Sequence, residues 1–318
     1  MRSLPFIAIC TGIALLAFAG LRATGNGYLF VAGYIVLQFV VLATAWNILG
    51  GYCGYVNFGS AAFFALGAYT SVFFYKLEEI PLPIPLLIVA GGIVSGIVGL
   101  ATGYLTLRLR GAFFAIATLA MAVVLQTLIV NWDFVGGSRG AYILHPENLE
   151  LGGFSLPYSE YLFLLMLALA LIAVAAARAI ERSQLGFGFA TIRDDELAAE
   201  ASGVPTLRLK LIATTLSGAL MGMAGAPFPY YIGYLQPSST FGLEYGVNSI
   251  AMPMIGGTTS WIGPLLGALL LGSVQEYARV TISSSINLLI VGLLLVVFVI
   301  IAPNGLVGLV HQRLRRKP

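Results

Sequence analysis

Apolar runs of membrane-spanning length recur along the chain, separated by short polar, glycine-rich or proline-rich breaks. A hydrocarbon core about 30 Å thick takes about 20 residues of helix to cross. Ten segments qualify or come near: Leu4 to Gly20, Tyr28 to Leu49, Cys53 to Tyr75, Ile84 to Leu107, Gly111 to Val130, Glu160 to Ala177, Leu211 to Tyr231, Gly246 to Gly256, Gly263 to Tyr277 and Ile286 to Ala302. The pattern predicts an all-α polytopic membrane protein of about ten transmembrane helices, with 1–318 as a single transmembrane domain. The run at Gly246 is too short to cross comfortably, so 246–277 is either two crossings or a re-entrant segment. The first run follows Arg2 and contains Ala17-Phe18-Ala19, which is also the look of a cleavable signal. We take it as a retained span; if cleaved, the count falls to nine.

Inside the spans, small residues recur every four positions, at Ser95, Gly99 and Gly103 and again at Gly218, Gly222 and Ala226. That spacing lets two helix backbones approach closely. Two segments share a further pattern of apolar helix, Gly-Gly, polar or aromatic turn, then a small-residue helix: Asn47 to Tyr69 and Asn248 to Gly272. Glycine-interrupted segments in corresponding halves point to a transport pathway. The candidate pathway residues are Asn47, Asn57, Phe58, Ser60, Asn248, Thr258 and Thr259.

One long polar interruption stands out, Arg178 to Lys210, with five of the sixteen Lys and Arg residues. Within it Asp194 to Ser202 predicts a two-turn helix. Asp194 is placed as its cap, Asp195 and Glu196 in a first turn that favours negative charge, Gly203 as a left-handed stop and Pro205 as a breaker. Leu197, Ala198 and Ala201 form one small apolar face, suited to a groove on another protein. A second polar segment covers 131–159.

Composition supports the membrane assignment: 59% of residues are apolar, 9% are charged and mean hydropathy is +0.95, against about a quarter charged in soluble chains. Alternating ten spans puts twelve of the sixteen basic residues on the side of Arg178 to Lys210 and both termini, including Arg2, Arg108, Arg110 and the tail Arg313 to Lys317. The other side has four: Arg22, Lys76, Arg139 and Arg279. The positive-inside rule makes the twelve cytoplasmic, so loop 178–210 is cytoplasmic and loop 131–159 periplasmic. Basic residues lie at span ends rather than in a patch, which gives no nucleic-acid surface. Cys10 and Cys53 read as buried hydrophobes, and the distant His145 and His311 argue against a histidine site. We expect no catalytic, cofactor or metal residues. The chain has no P-loop, and its spans hold no ionisable residue well away from an end, which disfavours an ion-coupled secondary transporter. That class remains the alternative.

Several stretches together resemble the permeases of branched-chain amino acid ABC importers. They are Thr44 to Ser71, Gly186 to Ala226, Ile255 to Leu270 and Ala302 to Leu309, in the family's order and spacing. The likeness is nearer the LivM-type subunit than its LivH-type partner. It implies an ABC importer permease fold with broken Gly-rich segments, in a bacterial or archaeal plasma membrane. Expected partners are P-loop ATPase subunits, a second homologous permease and an extracytoplasmic substrate-binding protein. The expected solute is a branched-chain or related hydrophobic amino acid, with urea and short amides as alternatives. The chain itself would be no enzyme. The polar interruption becomes the ATPase-coupling loop, comprising Gly186, Arg193, Asp194, Asp195, Glu196, Leu197, Ala198, Ala199, Ala201 and Gly203. Its first four charged residues would meet the groove as polar contacts. The family's Glu-Ala-Ala, three residues, Gly pattern is matched by Ala198, Ala199 and Gly203, but Leu197 stands where the glutamate is expected and Glu196 comes one residue early.

Overall fold

The computed structural model describes residues 3–77, 82–106, 109, 111–144, 148–151 and 154–281, and beyond these 289, 292, 293, 296–298, 300 and 305–309. The expected tenth span, the basic tail, both histidines, Arg2, Arg108 and Arg110 lie wholly or mostly outside the described residues.

The chain is a bundle of helices around one central member. Helix α1 (Ser3–Ala23) leads to α2 (Tyr28–Asn47), whose last ten residues are all buried and which touches α6, α9, α12 and α13. There follow α3 (Ser60–Lys76), α4 (Ile84–Thr106), α5 (Ala112–Val130) and α6 (Tyr158–Glu181). Then come α7 (Gln184–Asp194), α8 (Glu196–Ala201), α9 (Thr206–Gly225), α10 (Phe228–Ile232), α11 (Pro237–Thr240), α12 (Leu243–Gly256) and α13 (Ile262–Thr281). Among the described residues, five stretches are long and apolar enough to cross a membrane: Tyr28–Tyr52, Ile84–Thr106, Ala112–Val130, Tyr158–Glu181 and Thr206–Ile232. The first apolar run forms α1, which packs back on the body through Phe18 against Phe30 and Phe163 and through Phe6 against Trp261.

Small residues set the tightest helix contacts, as the four-residue spacing predicts. A Cβ added at Gly67 would lie 1.9 Å from the Gly222 carbonyl, and one at Gly225 would lie 1.9 Å from the Phe64 carbonyl. Helices α3, α4 and α9 therefore meet backbone to backbone, and the Ser95 hydroxyl crosses to the Phe63 carbonyl at 2.9 Å. Lipid offers no hydrophobic drive between helices, so this close packing supplies the cohesion.

The polar segment 131–159 folds into two 3-10 turns and short strands. Strand β1 (Ala141–Tyr142) pairs antiparallel with β4 (Tyr234–Leu235), and β2 (Asn148–Leu151) pairs with β3 (Phe154–Pro157). Helix α6, 24 residues long, carries the chain from this end to the other. Its far end, the loop end of the bundle, opens into α7 and α8.

Three expectations need correction. Asp194 does not cap the short helix; it ends α7. Asp195 is extended (φ −159°, ψ 107°), which breaks the helix, and its carboxylate accepts from the Leu197 and Ala198 N–H at 2.9 and 3.1 Å. The polar interruption is mostly helical, because α6 runs on to Glu181 and α9 starts at Thr206. Cys53 to Gly59 is irregular rather than part of a third span. Gly54 (φ +80°) and the Asn57 side chain, which accepts from the Gly59 N–H at 2.8 Å, hold a bend there that a helix would not allow.

A candidate coupling site at the loop end

Both broken segments and the polar interruption converge at the loop end. The first broken segment begins where α2 widens into a π-helical turn, Ile48–Tyr52. Extra turns of this kind often mark functional positions in helices. The second is the turn 257–261 between α12 and α13. A Cβ on Gly51 would collide with both the Asn47 Oδ1 (2.0 Å) and the Thr258 carbonyl (2.6 Å), so the two segments touch.

A single carboxylate at the end of α6 ties them together. Glu181 Oε2 accepts the Trp261 N–H at 2.6 Å and the Tyr52 hydroxyl at 3.3 Å. One turn earlier the Arg178 guanidinium lies 3.5 Å from the Phe6 ring centre and 5.6 Å from the Trp261 ring, a cation–π arrangement that adds α1 to the junction.

A second carboxylate anchors α8. Glu196 Oε1 accepts from the Lys210 ammonium on α9 at 2.6 Å, and its Oε2 accepts from the Tyr55 hydroxyl. Lys210 also donates to the Tyr55 oxygen at 3.2 Å and sits 4.9 Å from the centre of that ring. The lysine side chain is 4% exposed and the glutamate 13%. Between these anchors Arg193 lies over Gly54, where an added Cβ would be 3.0 Å from its Cγ. A cavity of about 430 Å³ opens beside this segment, lined by Tyr55, Phe58, Arg193 and Glu196 among others.

The expected coupling residues divide between two faces. Leu197 (64% exposed), Ala198 and Ala201 point outward from α8 with Asp194 and Asp195, while Ala199 is buried beneath. Gly203 has φ +83° and stops α8. Gly186 lies in the first turn of α7, where a Cβ would be 2.3 Å from the Ile180 carbonyl, and its N–H is capped by Ser183. Arg193 pairs with Asp194 at 3.2 Å. Glu196 faces inward, toward Lys210.

The candidate pathway residues do not gather in one place. Asn47 is buried beside the second segment, and Asn57 is buried, with its carbonyl accepting from the Trp46 indole at 2.8 Å. Phe58 is 43% exposed, with its N–H on the Thr118 hydroxyl at 3.1 Å. Ser60 accepts from Ser249 at 2.9 Å, and Asn248 accepts from Gln275 at 2.8 Å, both buried within the helix bundle. Thr258 and Thr259 lie on the turn at the loop end, the latter exposed. Glu181, Lys210, Tyr52 and Tyr55 were not singled out by sequence. The available signal was charge or phenol at a span boundary next to a Gly-interrupted segment, but their partners lie up to 155 residues away.

Comparison with known proteins agrees with this architecture. Residues 27–299 match the family model for the permease component of the branched-chain amino acid transport system. The LivM permease protein of the high-affinity branched-chain amino acid transport system of Salmonella typhimurium is 29% identical over 311 residues, covering 89% of this chain and 71% of that protein. Its Escherichia coli counterpart is 28% identical over 309 residues, with the same coverage. A probable LivH permease of Methanocaldococcus jannaschii is 23% identical over 275 residues, covering 82% and 85%. No solved structure matches the chain. The chain is a multi-pass membrane permease subunit, not an enzyme, and belongs to the branched-chain amino acid transport system permease family.

Proposed function

We propose that this chain is the LivM-type half of an ATP-driven importer for branched-chain or related hydrophobic amino acids. A second homologous permease completes the translocation pathway, an extracytoplasmic binding protein delivers the solute, and separate P-loop ATPases drive it. The protein lies in a bacterial or archaeal plasma membrane with both termini and loop 178–210 in the cytoplasm and loop 131–159 outside. The solute moves past the two broken segments. The observation that carries the reading is the outward face of α8: Leu197, Ala198 and Ala201 stand exposed on a capped helix whose opposite side is fastened to the bundle by Glu196. An apolar face on a helix braced from behind is suited to a groove on a partner and to passing force back from it.

Ala198→Arg tests this. The bulky charge is expected to abolish ATP-dependent uptake of leucine and co-purification of the ATPase from mild detergent, with membrane insertion unchanged. Unchanged uptake would remove this face from the docking surface.

A further inference from the structure

Resting on the reading of α8 as the docking helix, we propose that Glu196, Lys210 and Tyr55 form the joint through which α8 moves the first broken segment. These are positioning residues: none is placed in contact with solute or nucleotide.

The geometry makes the three a chain rather than a pair. Glu196 is the first residue of α8 and turns away from the docking face. Its two carboxylate oxygens are used separately, one on the Lys210 ammonium (2.6 Å) and the other on the Tyr55 hydroxyl. Lys210 returns to the Tyr55 oxygen at 3.2 Å and closes the triangle. Each member comes from a different element: α8, the second turn of α9, and the irregular stretch Cys53 to Gly59. A triangle this buried holds its geometry, because breaking the Glu196–Lys210 contact leaves a charge largely removed from water. Motion imposed on α8 therefore reaches Tyr55 without slack.

Tyr55 is placed to pass it on. Its N–H bonds to the Leu49 carbonyl at 3.1 Å, inside the π-helical turn, and its ring meets Phe114 at the start of α5 edge to face at 5.0 Å. Next to it Gly54 lies under Arg193 of α7. The coupling helices thus hold the one stretch between α2 and α3 that no helical ladder stiffens. The neighbouring Glu181 contacts differ in kind, since they tie α6 to the π-helical turn at Tyr52 and to the second segment at Trp261, not to α8.

The test uses the whole complex, extracted from its native membrane and reconstituted in proteoliposomes with binding protein and labelled leucine. Leucine imported per ATP hydrolysed is the readout, since a merely structural role lowers both together and leaves the ratio unmoved. Tyr55→Phe keeps the ion pair and removes only the hydroxyl link. We expect the ATPase to remain bound and the ratio to fall by about fivefold, the factor that one hydrogen bond of ordinary strength supplies. An unchanged ratio overturns the joint. If Tyr55→Phe lowers assembly, the double variant Glu196→Lys with Lys210→Glu is read instead. Recovery of uptake above either single change supports the joint, and no recovery overturns it. Ala198→Arg in parallel separates the two ideas. Loss of the ATPase there with a normal ratio in Tyr55→Phe sinks the joint alone, whereas retention of ATPase and uptake in Ala198→Arg sinks the docking face.

Discussion

The two broken segments share a pattern in sequence and are built in opposite ways. The second is closed by backbone against backbone. Cβ atoms added at Gly256, Gly263 and Gly267 would lie 1.8, 1.7 and 1.8 Å from the carbonyls of Gly263, Gly257 and Met252. Helices α12 and α13 are thereby locked into one hairpin. The first has looser contacts of this kind: a Cβ at Gly51 would lie 2.6 Å from the Thr258 carbonyl and one at Gly59 2.8 Å from the Thr118 carbonyl. Its twelve residues from Ile48 to Gly59 pass through a π-helical turn and an irregular bend, fixed by side chains from elsewhere: Glu181 on Tyr52, Arg193 over Gly54, Glu196 on Tyr55 and Trp46 on Asn57. A hairpin packed on glycines has no second arrangement of similar energy. A segment held by a few polar links can have two, which is what a transport cycle needs of a moving part. Resting on the proposed transport function, we read the second segment as the frame and the first as the gate.

The largest effect should come from filling the hairpin seam. Gly267→Val pushes a side chain into the Met252 carbonyl and the Gly256 N–H, and overpacking of this kind costs about 3 kcal/mol or more when backbone cannot yield. The tagged variant should lose its monodisperse peak on size-exclusion chromatography in mild detergent. A well-folded Gly267→Val protein would mean that the hairpin opens readily, and the frame assignment would fall.

A smaller and different effect is expected at Gly54. Its φ of +80° costs an L-residue about 1–2 kcal/mol, and a Cβ would press on Arg193 at 3.0–3.3 Å. Gly54→Ala should therefore fold and assemble, with thermal stability lowered by a few degrees, and lose uptake more than ATP hydrolysis. Damage equal to that of Gly267→Val would erase the contrast between the segments.

The sequence disclosed the periodic parts of this molecule and missed its joints. The apolar runs at Ile84 and Gly111 predict α4 and α5 almost to the residue, because lipid demands long unbroken helices and backbone that satisfies itself. The small-residue stripe at Gly218 and Gly222 was legible for the same reason: four-residue spacing has one geometric meaning. The Gly-Gly pairs showed where helices break, but not how. Gly50-Gly51 sits inside a widened turn, whereas Gly256-Gly257 ends a helix with φ +116° at Gly257. The choice depends on what packs against each, here Thr258 and Gly263. Glu196 is the clearest case. Its place at the end of the acidic run Asp194-Asp195-Glu196 suggests a solvated or partner-facing carboxylate, and only the fold brings Lys210 and Tyr55 within reach. The cap is Asp195 rather than its like-charged neighbour Asp194, a one-residue ambiguity that local pattern leaves open.

The smallest predicted effect sharpens the same contrast. Trp46 is buried on α2 and its indole N–H reaches the Asn57 carbonyl at 2.8 Å, across the whole irregular stretch. The link spans eleven residues, across the π-helical turn and the irregular bend, so it sets the width of the first segment in this conformation. Trp46→Phe keeps most of the apolar volume and removes the donor. The carbonyl retains a long contact from the Ser60 hydroxyl at 3.4 Å, which limits the cost to about 1 kcal/mol. Assembly should be normal. If the first segment is the gate, this variant shifts its population between two arrangements by about fivefold, and amide hydrogen exchange over 48–59 should rise while that over 243–281 stays unchanged. A uniform rise across both stretches would mean that the two segments move as one body, and the division into frame and gate would have to be given up.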